Sequence, residues 1–274
     1  MRADLHLHTV YSDGCFTPDE VAARAKANGV ELIAFTDHDT MDDISIKRAA
    51  AQKHGLQFVR GWEISAYEGA TKVHTLGYGC EAGEAYRAFR KRCAEGAQVR
   101  TEEALKRINE LCSLSLTVAD VEAAKFDKSA SLHTMHVVRA VAARLNRDVN
   151  EVFAEYFSYG KPAYVNLCRP TPEEAIEVIH ASGGVASLAH PARIYGGEAF
   201  KNALIARMVA CGLDGIECNY SAHTESETEY FLAVAKKYGL FVTGGSDFHY
   251  EDGVHAVGKP VFFADDRLLV AMGL

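Results

Sequence analysis

No apolar run in the chain approaches the roughly 20 residues that a membrane span requires, and the opening residues Met1 to His6 lack the apolar core of a secretory signal. These absences predict a soluble, cytoplasmic protein without a membrane partner. The seven cysteines (Cys15, Cys80, Cys93, Cys112, Cys168, Cys211 and Cys218) are odd in number, scattered, and never spaced as CxxC, which excludes a disulfide framework or a zinc knuckle and fits reduced thiols. Proline is scarce, at six residues, and there are no repeats or low-complexity stretches. An excess of basic charge is also missing: 37 acids against 29 bases give a net charge of -8. Wrapping of long nucleic acid and adhesion to membranes are therefore disfavoured. What the chain has is 274 residues, 48% hydrophobic, enough for one large α/β domain or a domain carrying an insertion, and twelve histidines.

Apolar runs of strand length alternate with amphipathic runs of helical length. Strands are predicted at 4–8, 32–36, 58–62, 73–78, 185–189, 214–218, 241–243 and 261–263, several of them apolar on both faces, as in a buried parallel sheet. Two helices are announced by the same N-terminal signature, Thr17-Pro18-Asp19-Glu20 and Thr171-Pro172-Glu173-Glu174, with a Thr cap, Pro at the first helical position and Glu at the capping-box position. From 84 to 160 the strand signal vanishes and apolar residues recur at helical spacing (Ala104, Ile108, Leu111; Val137, Val138, Val141, Leu145). The expected organisation is a barrel in two parts, 1–83 and 161–274, interrupted by a helical insertion over 84–160.

The histidines and acids fall on the strands or just beyond their carboxyl ends. His6 and His8 alternate on one strand and so point the same way. Asp13 follows in the next loop; Asp37, His38 and Asp39 follow the second strand; Glu63 follows the third; His74 lies in the fourth; His190 ends the fifth; Asp247 and His249 follow the seventh. A parallel barrel gathers such positions at one mouth. Six imidazoles and three carboxylates there form a donor set suited to Zn, Mn or Fe.

The runs Asp4-Leu-His-Leu-His8, Tyr11-Ser-Asp-Gly14, Phe35-Thr-Asp-His-Asp-Thr40, Gly61-Trp-Glu-Ile-Ser65, Val73-His-Thr-Leu-Gly77, Leu188-Ala-His-Pro191 and Gly244-Gly-Ser-Asp-Phe-His249 together resemble the PHP (polymerase and histidinol phosphatase) family. The resemblance implies an α/β fold, a distorted (β/α)7 barrel, with three divalent metal ions. It also implies their ligands: His6, His8, Glu63 and Asp247 on the first, Glu63, His74 and His190 on the second, and Asp13, His38 and His249 on the third. The insertion and the strand around Glu217 look like the stand-alone phosphatases of small phosphate esters, in which the insertion supplies a histidine to the substrate phosphate. His136 matches that position. Thr134 stands where relatives specific for nucleoside 3′,5′-bisphosphates carry Arg, which argues against recognition of a second phosphate.

The implied activity is hydrolysis of nucleotide or sugar mono- or bisphosphates, or of small cyclic phosphodiesters, by attack of a metal-bridging hydroxide on phosphorus. Arg193 and His223 join His136 as candidate phosphate contacts, with Lys161 and Arg169 weaker ones and Tyr220 a candidate stacking group. Asp37 or Asp39 is expected to orient His38. His133 is expected on a different side of its helix from His136, and His54, His180 and His255 at the surface or in structural roles. Alternatives are a metallo-amidohydrolase, an oligonucleotide exonuclease and a non-catalytic metal-binding module; the third ligand set speaks against the first of these. Three divalent ions against three carboxylates would leave the mouth at about +3, so the acidic total does not exclude a small anionic substrate.

Overall fold

In a computed structural model, which describes residues 1–125 and 132–274, all eight predicted strands are present. They are β1 (Arg2–Leu7), β2 (Leu32–Phe35), β3 (Gln57–Glu68), β4 (Thr71–Tyr78), β5 (Val185–Leu188), β6 (Gly215–Tyr220), β7 (Phe241–Gly245) and β8 (Phe262–Phe263). They form one sheet in the order β7-β6-β5-β4-β3-β2-β1-β8. The sheet curls nearly shut: just beyond β7, the amide of Asp247 donates to the carbonyl of His6 at 2.8 Å and the amide of His8 to that of Phe248 at 3.0 Å. Here the backbones touch. A Cβ on Gly245 would lie 2.4 Å from the Cβ of His6, so only glycine fits.

The sheet is not wholly parallel. β4 runs antiparallel to both β3 and β5, and β8 antiparallel to β1. The reason is local. Only Gly69 and Ala70 separate β3 from β4, and a parallel return needs a crossover of about a dozen residues or more. β3 pairs with β2 only over 57–60 and then continues as one arm of this hairpin. Glu63 therefore lies within a strand, not after one, yet still beyond the carboxyl end of β2. Reversal of β4 likewise carries His74, near the start of its strand, to the same mouth.

Both Thr-Pro signatures open helices, Pro18–Ala27 and Pro172–Ala181, each with a complete capping box. The described part of the 84–160 stretch holds helices joined by short turns and no strand: Glu84–Cys112, Val118–Ala123, Thr134–Leu145, Val149–Val152 and a π-helical turn at Phe153–Phe157. Its residues pack around their own apolar cluster, including Ile108, Val121, Val138, Val141 and Phe157. The long helix Glu84–Cys112 joins this cluster to the barrel, because its first half packs Phe89 and Cys93 into the core containing Trp62 and Ile64. Among the described residues, no helix is long and apolar enough to cross a membrane.

Candidate metal centre

All nine predicted ligands converge at the mouth. Glu63, fully buried, is the hub. Its Oε2 lies 3.2 Å from His6 Nε2, 3.1 Å from His8 Nε2 and 3.2 Å from His38 Nδ1. Its Oε1 lies 2.7 Å from His74 Nδ1 and 3.1 Å from His190 Nε2. Asp247 Oδ1 stands 3.3 and 3.2 Å from the same nitrogens of His6 and His8. Asp13 faces His249 at 3.3 Å and His38 and His8 at 3.8 Å. Three groups of donors each gather within 4.8 Å: His6, His8, Glu63 and Asp247; His8, Asp13, His38 and His249; and His38, Glu63 and His74. His8 and His38 thus adjoin two groups each.

The chemistry of the donors fits divalent ions. Two donors each about 2.1 Å from a shared ion, at tetrahedral or octahedral angles, lie about 3.0–3.4 Å apart, and the contacts of His6 and His8 with Glu63 and Asp247 match that spacing. His6 Nε2, both ring nitrogens of His8, Asp13 Oδ1 and Glu63 Oε2 are buried without a hydrogen-bond partner. Such orphaned atoms are costly unless something else satisfies them. Burial disfavours charge on His8, but Asp247 and Glu63 outweigh it and raise its pKa to about 10. In the protein alone the carboxylates hold protons on His6 and His8, where an ion would take the protons' place, while burial keeps His38 and His74 neutral. Two predicted ligands also sit at positive φ, His190 at 27° and Asp247 at 55°, a cost of the kind concentrated at functional sites.

A second layer orients the first. Glu217, fully buried in β6, accepts from His6 Nδ1 at 3.0 Å and from the backbone amide of His190 at 2.7 Å. The Nδ1 proton of His6 is thereby fixed, and its Nε2 lone pair is left for an ion. His249 donates from Nδ1 to the carbonyl of Asp247 at 2.8 Å, which likewise frees its Nε2. The hydroxyl of Tyr220 donates to Asp247 Oδ2 at 3.0 Å and is itself approached by Arg193 and His255, each at 3.2 Å. Sequence reasoning missed Glu217 as a site residue. The available signal was a lone carboxylate in the apolar run Gly215-Ile-Glu-Cys, since carboxylates are rarely fully buried unless paired. Glu217→Gln should lower metal affinity or activity about 10- to 100-fold; unchanged metal titration and turnover would reduce Glu217 to a packing residue.

The other candidates separate. Asp37 does not touch His38. It accepts from the amide of Thr9 and from Ser12 Oγ, both at 2.8 Å, and pairs with the buried ammonium of Lys47 at 2.6 Å. Asp39 accepts from the amide of Ser65 at 2.8 Å instead. Each carboxylate fixes a loop, because backbone and ammonium donors closer than His38 claim its oxygens.

His136 is buried and its Nδ1 accepts from the amide of His133 at 3.1 Å, capping the helix Thr134–Leu145. It is His133, at that cap, whose ring reaches the site, 5.8 Å from the ring of His38. The two rings touch edge to face, so they do not lie on separate sides. Burial above all lowers the pKa of His133 to about 4 and of His136 to about 3, so both are neutral near pH 7. Arg139, on the same helix, donates to the carbonyl of Asp13 at 3.2 Å and ties the insertion to the site.

His223 donates from Nδ1 to the carbonyl of Cys218 at 3.0 Å, and burial lowers its pKa. Its buried Nε2 is thus a lone-pair acceptor, suited to a substrate hydroxyl more than to a phosphate oxygen. Lys161 is exposed, while Arg169 lies over the ring of Tyr67 at 4.8 Å. His54 and His180 pair with Asp19 and Asp214 away from the mouth. His255, expected at the surface or in a structural role, bonds to Tyr220 beside the site; only folding brings the 250s loop beside β6.

A family model described as the PHP domain matches residues 4–161, more than half of the chain. The chain belongs to the PHP family. Among curated PHP relatives and others it matches, it is 34% identical to a 3′,5′-nucleoside bisphosphate phosphatase of Chromobacterium violaceum, over 90% of this chain and 86% of the relative. It is 31% identical to a phosphoribosyl 1,2-cyclic phosphate 1,2-diphosphodiesterase of Eggerthella lenta (92% and 96%) and 32% identical to a 5′-3′ exoribonuclease of Haemophilus influenzae (98% and 97%). Among solved structures, a protein of Bifidobacterium adolescentis named by inference as a metal-dependent phosphoesterase superposes with a TM-score of 0.85 at 26% identity, covering 98% of this chain and 94% of that one. The nearly closed sheet is therefore a PHP barrel.

Proposed function

We propose that this PHP protein is a phosphoric ester hydrolase that uses three divalent ions to cleave small phosphate esters. The observation that carries this reading is the Glu63 carboxylate, shared among five imidazoles, in a cluster whose donors form three groups each within 4.8 Å. His6, His8, Glu63 and Asp247 would hold one ion; Glu63, His74 and His190 a second; Asp13, His38 and His249 the third. Such ions supply a nucleophile near neutral pH and neutralise charge building on phosphoryl oxygens. The chain's own part is to fix the geometry. Glu217 sets the tautomer of His6, Tyr220 restrains Asp247, and Asp37 anchors the loop carrying Asp13. Arg193 and the neutral His133 stand at the rim, where they could orient the ester. A metallo-amidohydrolase fits less well, because such sites use one or two ions and leave the Asp13, His38 and His249 group unexplained.

A second reading, removal of nucleotides from a 5′ end of RNA, is favoured by the near full-length match to the Haemophilus exoribonuclease. Two measurements decide. Metal analysis should find close to three transition-metal ions per chain, and one ion would refute the trinuclear reading. Release of phosphate or nucleotide should then be compared across monophosphates, 3′,5′-bisphosphates, cyclic phosphates and 5′-phosphorylated oligoribonucleotides. Activity on none of these, with metals loaded, would reject phosphoester hydrolysis.

A further inference from the structure

The loop that follows His249 runs out to solvent and returns. Glu251, Asp252, Gly253 and Val254 are exposed, and His255 turns inward with 16% of its side chain exposed. Asp252 folds this turn. Its Oδ1 accepts from the amides of Val254 at 2.8 Å and of His255 at 2.7 Å, and its Oδ2 faces His255 Nδ1 at 2.6 Å. One oxygen shapes the backbone and the other sets the ring, because a carboxylate accepts and Nδ1 must then carry the proton.

The far side of the ring meets the metal centre at one remove. His255 Nε2 lies 3.2 Å from the Tyr220 hydroxyl, which lies 3.0 Å from Asp247 Oδ2. A circuit therefore closes. It runs from Asp247 along the chain to His255, across to Tyr220 at the end of β6, and back to the Asp247 carboxylate. His255 and Asp252 belong to none of the three donor groups.

The valence of the hydroxyl fixes who donates. A phenol has one proton and two lone pairs. Arg193, 3.2 Å away, can only donate to it, and the Asp247 carboxylate can only accept from it. All three contacts are hydrogen bonds when His255 donates as well. A lone pair on Nε2 would instead draw the hydroxyl proton away from Asp247. With Arg193 and His255 occupying both lone pairs, the proton is left one direction, toward Asp247 Oδ2. That leaves Asp247 Oδ1 where it stands, 3.3 and 3.2 Å from Nε2 of His6 and His8.

We infer that His255, held by Asp252, is a positioning residue of the metal centre: acting through Tyr220, it keeps Asp247 Oδ2 engaged and Oδ1 turned toward His6 and His8, where one ion would be held. The inference rests on the metal-dependent reading of the site and adds to it two residues from outside the donor set. An orienting partner of a ligand tunes affinity for the ion as well as turnover.

The test is manganese(II) affinity, measured by equilibrium dialysis, beside turnover of 4-nitrophenyl phosphate. His255→Ala and Tyr220→Phe should each weaken manganese binding at least about tenfold, and kcat should fall while KM does not change. Asp252→Asn should move both in the same direction. His255→Gln keeps a donor toward Tyr220 and should restore most of the affinity, a recovery that general loosening of the loop would not give. Because His255 acts through Tyr220, adding His255→Ala to Tyr220→Phe should cost nothing further. Manganese binding by His255→Ala equal to that of wild type overturns the inference and leaves the hydrolase intact. So does a loss from His255→Ala that persists in full beside Tyr220→Phe, since the two residues would then act separately. Should no ester be cleaved, the hydrolase reading falls and the dialysis series alone judges the inference. A wild type that binds no manganese, iron or zinc refutes both.

Discussion

Glu63→Gln should reduce phosphoester hydrolysis by about 10³-fold or more and lower the number of ions retained per chain. The carboxylate is fully buried and stands 2.7–3.2 Å from five imidazole nitrogens. Those imidazoles come from β1, the loop after β2, β4 and the end of β5. An amide of the same size keeps the packing but removes the charge and presents an N–H₂ group to nitrogens whose lone pairs are needed for metal. Two of the three proposed ion positions would lose a ligand at once. The measurement is metal content by elemental analysis beside turnover of an aryl phosphate, with metal-free stability compared to exclude misfolding. Turnover within tenfold of wild type would remove the shared carboxylate from the mechanism.

The second large effect is on stability. Lys47, from the helix Ile44–Lys53, is fully buried with its ammonium 2.6 Å from Asp37, also fully buried. Burial favours neutral Asp37, but the Lys47 charge outweighs it and holds the carboxyl below its ordinary value. Lys47→Met keeps the volume and strands the carboxylate. Removal of one partner from a buried pair costs about 3–5 kcal/mol, which for a chain of this size lowers Tm by roughly 10 °C. The sign with pH follows from the same pair. In wild type the depressed pKa contributes stability above the ordinary carboxylate range, lost as pH falls through it. In the variant the unpaired carboxyl titrates above its ordinary value, so it becomes neutral earlier and its penalty fades. The Tm gap between variant and wild type should therefore narrow as pH falls from 7 toward 4. The double variant Asp37→Asn with Lys47→Met should recover part of the loss. A gap that does not change with pH would show that the pair's charge is not what stabilises the fold. Because Asp37 also holds Thr9 and Ser12 beside Asp13, activity should fall with the single variant as well.

Much of the site was legible because a barrel turns a one-dimensional pattern into a place. Alternation placed His6 and His8 on one face of β1, and polar residues at the ends of apolar runs needed only one common mouth to meet. Glu63 and His74 met there for a reason the pattern did not show: a two-residue hairpin reverses β4, so the start of one strand lies beside the end of the parallel part of another. The helix starts at Pro18 and Pro172 were legible because a capping box is a local structure written in four consecutive residues.

Contacts between distant segments were not legible. Glu217 became a partner of His6 across 211 residues, and His255 a partner of Tyr220 across 35. His133 and His136 stay in ring contact at one helix cap, but the His136 ring takes up a backbone amide while the His133 ring reaches His38. The sequence by itself determined the α/β alternation, the helical insertion and the nine candidate donors that meet at the mouth, because each follows from local periodicity or from position on a strand. Tertiary structure alone decided which residues orient those donors, that Asp37 serves Lys47 and not His38, and that Arg100, Arg169 and Arg193, with no acidic partner among the described residues, line a seam beside Tyr159 and Tyr195. Those outcomes depend on which surfaces are packed together, and burial is what turns a lone lysine, glutamate or histidine from a solvated side chain into a group that must find a partner.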